Sequence, residues 1–224
     1  MINKKAFTLT ELLVALGIIG AVAAISIPGL INNMNKHIYT TKLKGTIQTF
    51  KQTIDAELLA KKTTTLELTD FRSPNLLFTN HFDTVKICGY DDSTCWPNMQ
   101  YKTLNGGTYE LVRQYTAKLR NGMTILYNWI ESDQTFNGDT VYLEIFIDLN
   151  GSDRPNIVGR DFFQFYISTK GKITENTSLQ ALEDQEATED STGKALHLLR
   201  AQCLNGQPDR CYSSIIQNGW IMSY

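Results

Sequence analysis

The sequence predicts an α+β protein, with one long N-terminal helix whose second half packs on a four-stranded antiparallel sheet. Three observations predict it. Residues 7–31 form an apolar run in which Glu11 is the only ionisable side chain; Tyr39, Leu43, Ile47, Phe50, Ile54 and Leu58 then recur at spacings of three and four; beyond Tyr115 the apolar period falls to two.

The first run, at about 1.5 Å per residue, is long enough to cross roughly 30 Å of hydrocarbon. The second pattern is a single apolar stripe on a helix otherwise rich in Lys, Thr and Gln, and such a stripe needs a surface to bury against. One helix from about Phe7 to Lys61 satisfies both patterns. Two helices joined near Asn32 to Asn35 are the alternative, because Pro28 and Gly29 weaken a helix. Thr64 to Asp70 is a polar break, and Ser73-Pro74 starts a short helix through Phe82, since proline suits a first helical turn.

The strands follow. Tyr115, Ala117 and Leu119, then Asn121-Gly122, then Met123, Ile125, Tyr127 and Trp129 read as two strands joined by a tight turn. Val141, Leu143, Ile145 and Ile147 form a third alternating run, and Phe163, Phe165 and Ile167 a fourth. A meander of these four, laid across the striped half of the helix, is the simplest core.

The start of the chain carries its most specific signal. Lys4-Lys5 precede a small residue, Ala6, and then Phe7-Thr8-Leu9-Thr10-Glu11 open the apolar run. A secretory signal places its small-residue cleavage site after the apolar stretch, whereas here the small residue comes before it. Cleavage between Ala6 and Phe7 therefore removes the basic leader and leaves the whole hydrophobic helix on the mature chain.

This arrangement resembles the leader of the type IV pilin and type II secretion pseudopilin family. The resemblance implies that a prepilin peptidase cuts between Ala6 and Phe7 and methylates the new Phe7 amine, that Glu11 is an assembly residue, and that Pro28 lies where the family helix bends. The family usually has Gly before the cut, where this chain has Ala6. It implies a pilin-like division into a leader (1–6), a transmembrane or filament-core helix (7–31), the amphipathic half of the same helix (32–61) and an α+β head (62–224). It also implies other pilin subunits and an inner-membrane assembly platform as partners, and a single-pass inner-membrane precursor with its head outside the cytoplasm. The segment from Gly159 to Tyr166, the Cys203 and Cys211 pair and the closing Gly219 to Tyr224 look like the heads of bacterial proteins with this leader, a looser likeness that assigns no activity.

The physics of Glu11 stands apart from the family. A charge near the centre of a bilayer helix costs about 2.5–3.5 kcal/mol on insertion scales, so it needs a partner or a function. The Phe7 amine of a neighbouring subunit would neutralise both charges and set the register of a filament. The bland alternative is a carboxylate that reaches the headgroups and water. Lys4 and Lys5 before the span are matched by Lys36, Lys42 and Lys44 after it, so loop charge alone does not orient the helix. An inside amino terminus follows from the leader and the cysteines.

The formal charge of −2 argues against sequence-independent nucleic-acid binding, which needs clustered Lys and Arg. The four cysteines fall into two close pairs, Cys88 with Cys95 and Cys203 with Cys211. In an exported head, local disulfides close small loops worth about 2.5 kcal/mol each, while the two other connectivities and a metal site stay open as alternatives. Asp148, Asn150 and Asp153, with Asn156 and Asp161 beyond, place oxygen side chains around Gly151 and suit a hard cation such as calcium. The same residues equally suit a hairpin turn. Calcium is the one cofactor the sequence suggests.

Glu183, Asp184, Glu186, Glu189 and Asp190 read as a solvated acidic loop. His37, His81 and His197 are scattered, and no nucleophile or phosphate-loop motif is present, so no enzyme is expected. The expected function is a structural subunit of the minor kind, in a type IV pilus or a type II secretion pseudopilus. A membrane-tethered adhesin or receptor outside any filament is the alternative.

Overall fold

The computed structural model describes residues 8–90, 92, 94–95, 100–111, 114–130, 135–136, 139–174 and 191–224. Two compact units divide the chain, Met1–Ile38 and Tyr39–Tyr224. A single helix, α1 (Leu9–Lys61), runs through the boundary with Pro28 inside it.

In the first unit the apolar side chains of α1 face outward, with Leu9, Leu13, Ile18, Ile19 and Ile25 all more than half exposed. This helix is long and apolar enough to cross a membrane. In the second unit the same helix is one-sided. Leu43, Ile47, Phe50 and Ile54 are buried, and Tyr39 and Leu58 pack at the margins of the same core. Thr40, Thr46, Thr53 and Glu57 share that buried face, and polar residues like these are invisible to a stripe defined by apolar spacing.

After α1, two single-turn 3-10 helices (Leu66–Leu68 and Asp70–Arg72) lead into α2 (Pro74–His81), which begins with its proline in the first turn. Strands β1 (Thr84–Cys88), β4 (Tyr115–Leu119), β5 (Thr124–Trp129), β7 (Asp139–Asp148), β8 (Phe162–Ser168) and β9 (Ile173–Thr174) form an antiparallel sheet in the order β1-β4-β5-β7-β8-β9, with β6 (Thr135–Phe136) beside β7. Strands β2 (Tyr101–Lys102) and β3 (Thr108–Tyr109) pair separately. The chain ends in α3 (Ser191–Leu204) and α4 (Pro208–Gln217).

The sheet is thus wider than the expected four strands. The four alternating runs became β4, β5, β7 and β8, and β1 and β9 were added at the two edges. An edge strand is paired on one side only, so β1 carries Lys86 mid-strand and an irregular register opposite β4, and β9 has two residues. Neither shows the alternation by which strands are read. The β4–β5 connection closes through Leu119 N–H to Met123 O at 2.9 Å, with Gly122 at φ +86°, the left-handed position a three-residue hairpin loop requires.

Both faces of the sheet are covered at β8, which is buried along its whole length. Ile125, Ile147 and Phe163 stand opposite one another on the helix side, as do Tyr127, Ile145 and Phe165. Phe50 of α1 meets Phe165 edge-on at 5.5 Å, and Phe78 of α2 lies 4.8 Å from Tyr127. On the other face Phe146 stacks on Phe162 at 5.6 Å, and Tyr101 of the small sheet covers Phe162 at 4.5 Å. This two-sided burial explains why Phe162 to Ile167 is a nearly continuous apolar run.

Candidate functional site

The first site is the start of α1. Thr8 precedes the first helical residue, and its hydroxyl accepts the Glu11 N–H at 3.2 Å. In return Glu11 Oε2 accepts from Thr8 N–H at 2.8 Å and from the Thr8 hydroxyl at 2.8 Å. This reciprocal pair is a capping box, Thr-x-x-Glu, which satisfies two of the backbone donors that a helix start leaves open. The carboxylate is therefore folded back onto Thr8, the residue just before the helix. Ala6 and Phe7, with the rest of the leader, lie outside the described residues. The spacing Thr8-Leu9-Thr10-Glu11 is itself a linear signature of this cap. Pro28 sits within α1, and its missing N–H leaves a backbone carbonyl one turn earlier without its helical partner.

The second site is the loop between β7 and β8. Asp148 is fully buried; its Oδ2 accepts from the Tyr101 hydroxyl and its Oδ1 from Asn150 N–H at 3.2 Å. Asn150 turns its amide nitrogen onto the carbonyls of Asp153 and Arg154, at 2.7 and 3.0 Å. Asp161, also fully buried, accepts from the backbone N–H groups of Asn156 and Ile157, at 2.7 and 2.6 Å. Burial pushes the Asp148 carboxyl up to about 7, with the charge of Asp161 adding to the rise. Burial likewise raises Asp161 and the Tyr101 phenol, which remains a donor.

For calcium at Asp148, Asn150 and Asp153 the donor set matters. Each oxygen of Asp148 faces an O–H or N–H donor, and Asn150 serves backbone carbonyls through its nitrogen. These bonds hold the loop as a hydrogen-bonded turn, while each Asp148 oxygen keeps a further lone pair and the buried Asn150 Oδ1 has no hydrogen-bond partner.

The loop is also where distant parts of the sequence meet. Lys42 of α1 donates to Leu149 O at 3.2 Å, and the Tyr224 hydroxyl donates to Gly159 O at 2.9 Å. Cys203 is bonded to Cys211, which ties α3 to α4, and Cys88 to Cys95, which closes a loop after β1. The Cys203–Cys211 bond lies directly against Gly159, where an added Cβ would stand 2.7 and 2.9 Å from the two sulfurs. Gly159, the second cysteine pair and the C-terminal Tyr224 lie in separate stretches of the sequence, and the fold places them together.

Elsewhere a cavity of about 440 Å³ lies among Lys42, Thr46, Phe82, Asn121 and Met123. Glu57, Asp70 and His81 also converge, from three elements that no linear pattern links. The acidic residues Glu183, Asp184, Glu186, Glu189 and Asp190 fall outside the described residues.

No curated protein and no solved structure matches the chain. A family description does match, that of the prokaryotic N-terminal methylation motif, over residues 1–27. That match spans the basic leader, the capping box and the first turns of α1, and it implies a processed structural subunit. The chain carries the prepilin signature of the type IV pilins and pseudopilins.

Proposed function

We propose that this chain is a minor pilin or pseudopilin, cut between Ala6 and Phe7 by a prepilin peptidase, methylated on the Phe7 amine, and assembled into a filament by packing of the first half of α1. The observation that carries this reading is the methylation motif running without a break into a helix whose apolar residues are exposed. An exposed helical surface of this kind is stable in two settings, a bilayer or the core of a helical assembly. Before assembly the helix anchors the precursor in the inner membrane with the head outside, a compartment consistent with two disulfides. Prepilin peptidase, other pilin subunits and the inner-membrane assembly platform are the partners this reading requires.

Glu11 has two tasks in this account. Within its own subunit it caps α1 through Thr8. Between subunits its charge pairs with the Phe7 amine of a neighbour, which removes two unpaired charges from an apolar environment.

Substitution separates the tasks, because Gln also closes a capping box while carrying no charge. In the native host, Glu11→Gln and Glu11→Ala are both expected to reduce incorporation into sheared filaments by about tenfold or more while leaving the protein in the membrane fraction. Wild-type incorporation of Glu11→Gln contradicts the charge pairing. Absence of the wild-type chain from sheared filaments, with surface binding retained by Glu11→Ala, points instead to a tethered binding protein.

A further inference from the structure

Two carboxylates and a histidine meet at the C-terminal end of α1. Glu57 comes from α1, Asp70 from the second 3-10 turn, and His81 is the last residue of α2. One donor atom from each lies within 4.8 Å of the others. His81 Nε2 is 3.2 Å from Glu57 Oε1 and 3.4 Å from Asp70 Oδ2, and the three side chains are 7%, 12% and 21% exposed for Glu57, Asp70 and His81. The Nε2 atom is itself shut off from solvent and is aligned with neither oxygen for a hydrogen bond.

We propose that Glu57, Asp70 and His81 form a binding site for a divalent transition metal, for which zinc is the best match. Geometry is the first reason. A tetrahedral zinc site with bonds of about 2.05 Å has ligand-to-ligand edges of about 3.3 Å, and the two edges from His81 measure 3.2 and 3.4 Å. An imidazole nitrogen lying between two carboxylate oxygens, pointed along neither, is the disposition of ligands around a shared centre.

The outer partners are the second reason. Glu57 Oε2 accepts from Asp70 N–H at 2.8 Å, which directs Oε1 to His81. Asp70 Oδ2 accepts from the Asn80 amide at 2.7 Å, and its Oδ1 lies 3.3 Å from Lys61 Nζ. Both carboxylates are therefore oriented by hydrogen bonds from a second layer, as metal ligands generally are.

Charge is the third. Two largely buried carboxylates face one half-exposed lysine and His81, and a divalent ion bound through the neutral imidazole would balance both carboxylates. A nitrogen ligand disfavours calcium and magnesium, which take oxygen shells, and favours zinc and its neighbours in the first transition row. Three protein ligands leave the fourth position to water. The ion would join the end of the long helix to α2, and its role would be to hold that corner of the head.

The test uses the untagged full chain in detergent micelles, stripped with chelator and titrated with zinc by calorimetry, then with cobalt followed by visible absorption. The expected results are uptake of about one equivalent, cobalt bands of four-coordinate intensity, and a Tm that rises with free zinc. His81→Ala and Glu57→Gln should each weaken binding by more than about 100-fold, beyond the loss seen when an outer-layer partner is removed. His197→Ala, on an exposed residue of α3, should bind as wild type. Failure of the wild-type chain to take up an equivalent of zinc overturns the proposal, whatever the variants do. So does uptake that persists in both His81→Ala and Glu57→Gln, because the ion then sits elsewhere and the cluster is only an ion-paired contact.

Discussion

Single residues decide how the two ends of the chain are held. Thr8 and Glu11 close the start of α1, and Gly159 lets the Cys203–Cys211 bond rest on the β7–β8 loop. Gly159 has φ +86°, where a side chain is strained, and an added methyl group would overlap both sulfurs. Gly159→Ala is therefore expected to destabilise the segment Tyr39–Tyr224 by about 3 kcal/mol, from the left-handed backbone and overpacking together, measured by denaturant unfolding. Asp148 gives a pH dependence of known sign. Its carboxyl is pushed up to about 7 in the fold from an ordinary 3.8, so the folded state holds this proton more tightly than the unfolded one. That contribution to stability is fully present below about pH 4 and is lost as pH rises through about 7. Thermal unfolding should show wild type losing stability across this window and Asp148→Asn losing less; burial raises Asp161, Glu144 and Asp209 in the same direction, so part of the slope should remain. Glu11 and its capping partner Thr8 stand three residues apart in the sequence, whereas the disulfide over Gly159 comes from residues more than forty positions away. A capping box has a linear signature, but a glycine under a disulfide is a property of three-dimensional approach.

At the scale of elements, α1 is one helix under two sets of physical demands. Phe50 is fully buried, with its ring 5.0 Å from Phe82 and 5.5 Å from Phe165, whereas Leu30 on the same helix is exposed. Phe50→Ala should cost the head about 3–5 kcal/mol, and Leu30→Ala should leave its unfolding midpoint unchanged, checked by denaturant titration of the full chain in micelles. The helix was legible because a 3.6-residue stripe is repeated over several turns, and the four long strands because every second residue is apolar, although β8, buried on both faces, is nearly apolar throughout. Strands β1 and β9 were not legible, since an edge strand has no need to alternate strictly. The C-terminal helices were missed as well. Pro208 in the first turn of α4 was a start signal, yet the segment is too short for periodicity to speak, and its packing depends on Tyr212 reaching Phe165 at 5.6 Å.

For the whole molecule, the sequence divides into a part that says how the protein is handled and a part that says how its head is built. The first is concentrated in residues 1–27, where the methylation motif lies. It was readable because a peptidase and a membrane each impose a linear pattern. The second is distributed over Tyr39–Tyr224, where the loop at Asp148 and the cluster of Glu57, Asp70 and His81 assemble from residues far apart in the chain. Convergent sites leave no such linear trace. The mass of the protein extracted from its own membrane tests most directly the proposed processing that leaves the apolar helix at the start of the mature chain. A chain beginning at Phe7 and carrying one methyl group on its amine is expected; a chain that still bears residues 1–6 contradicts the proposed processing.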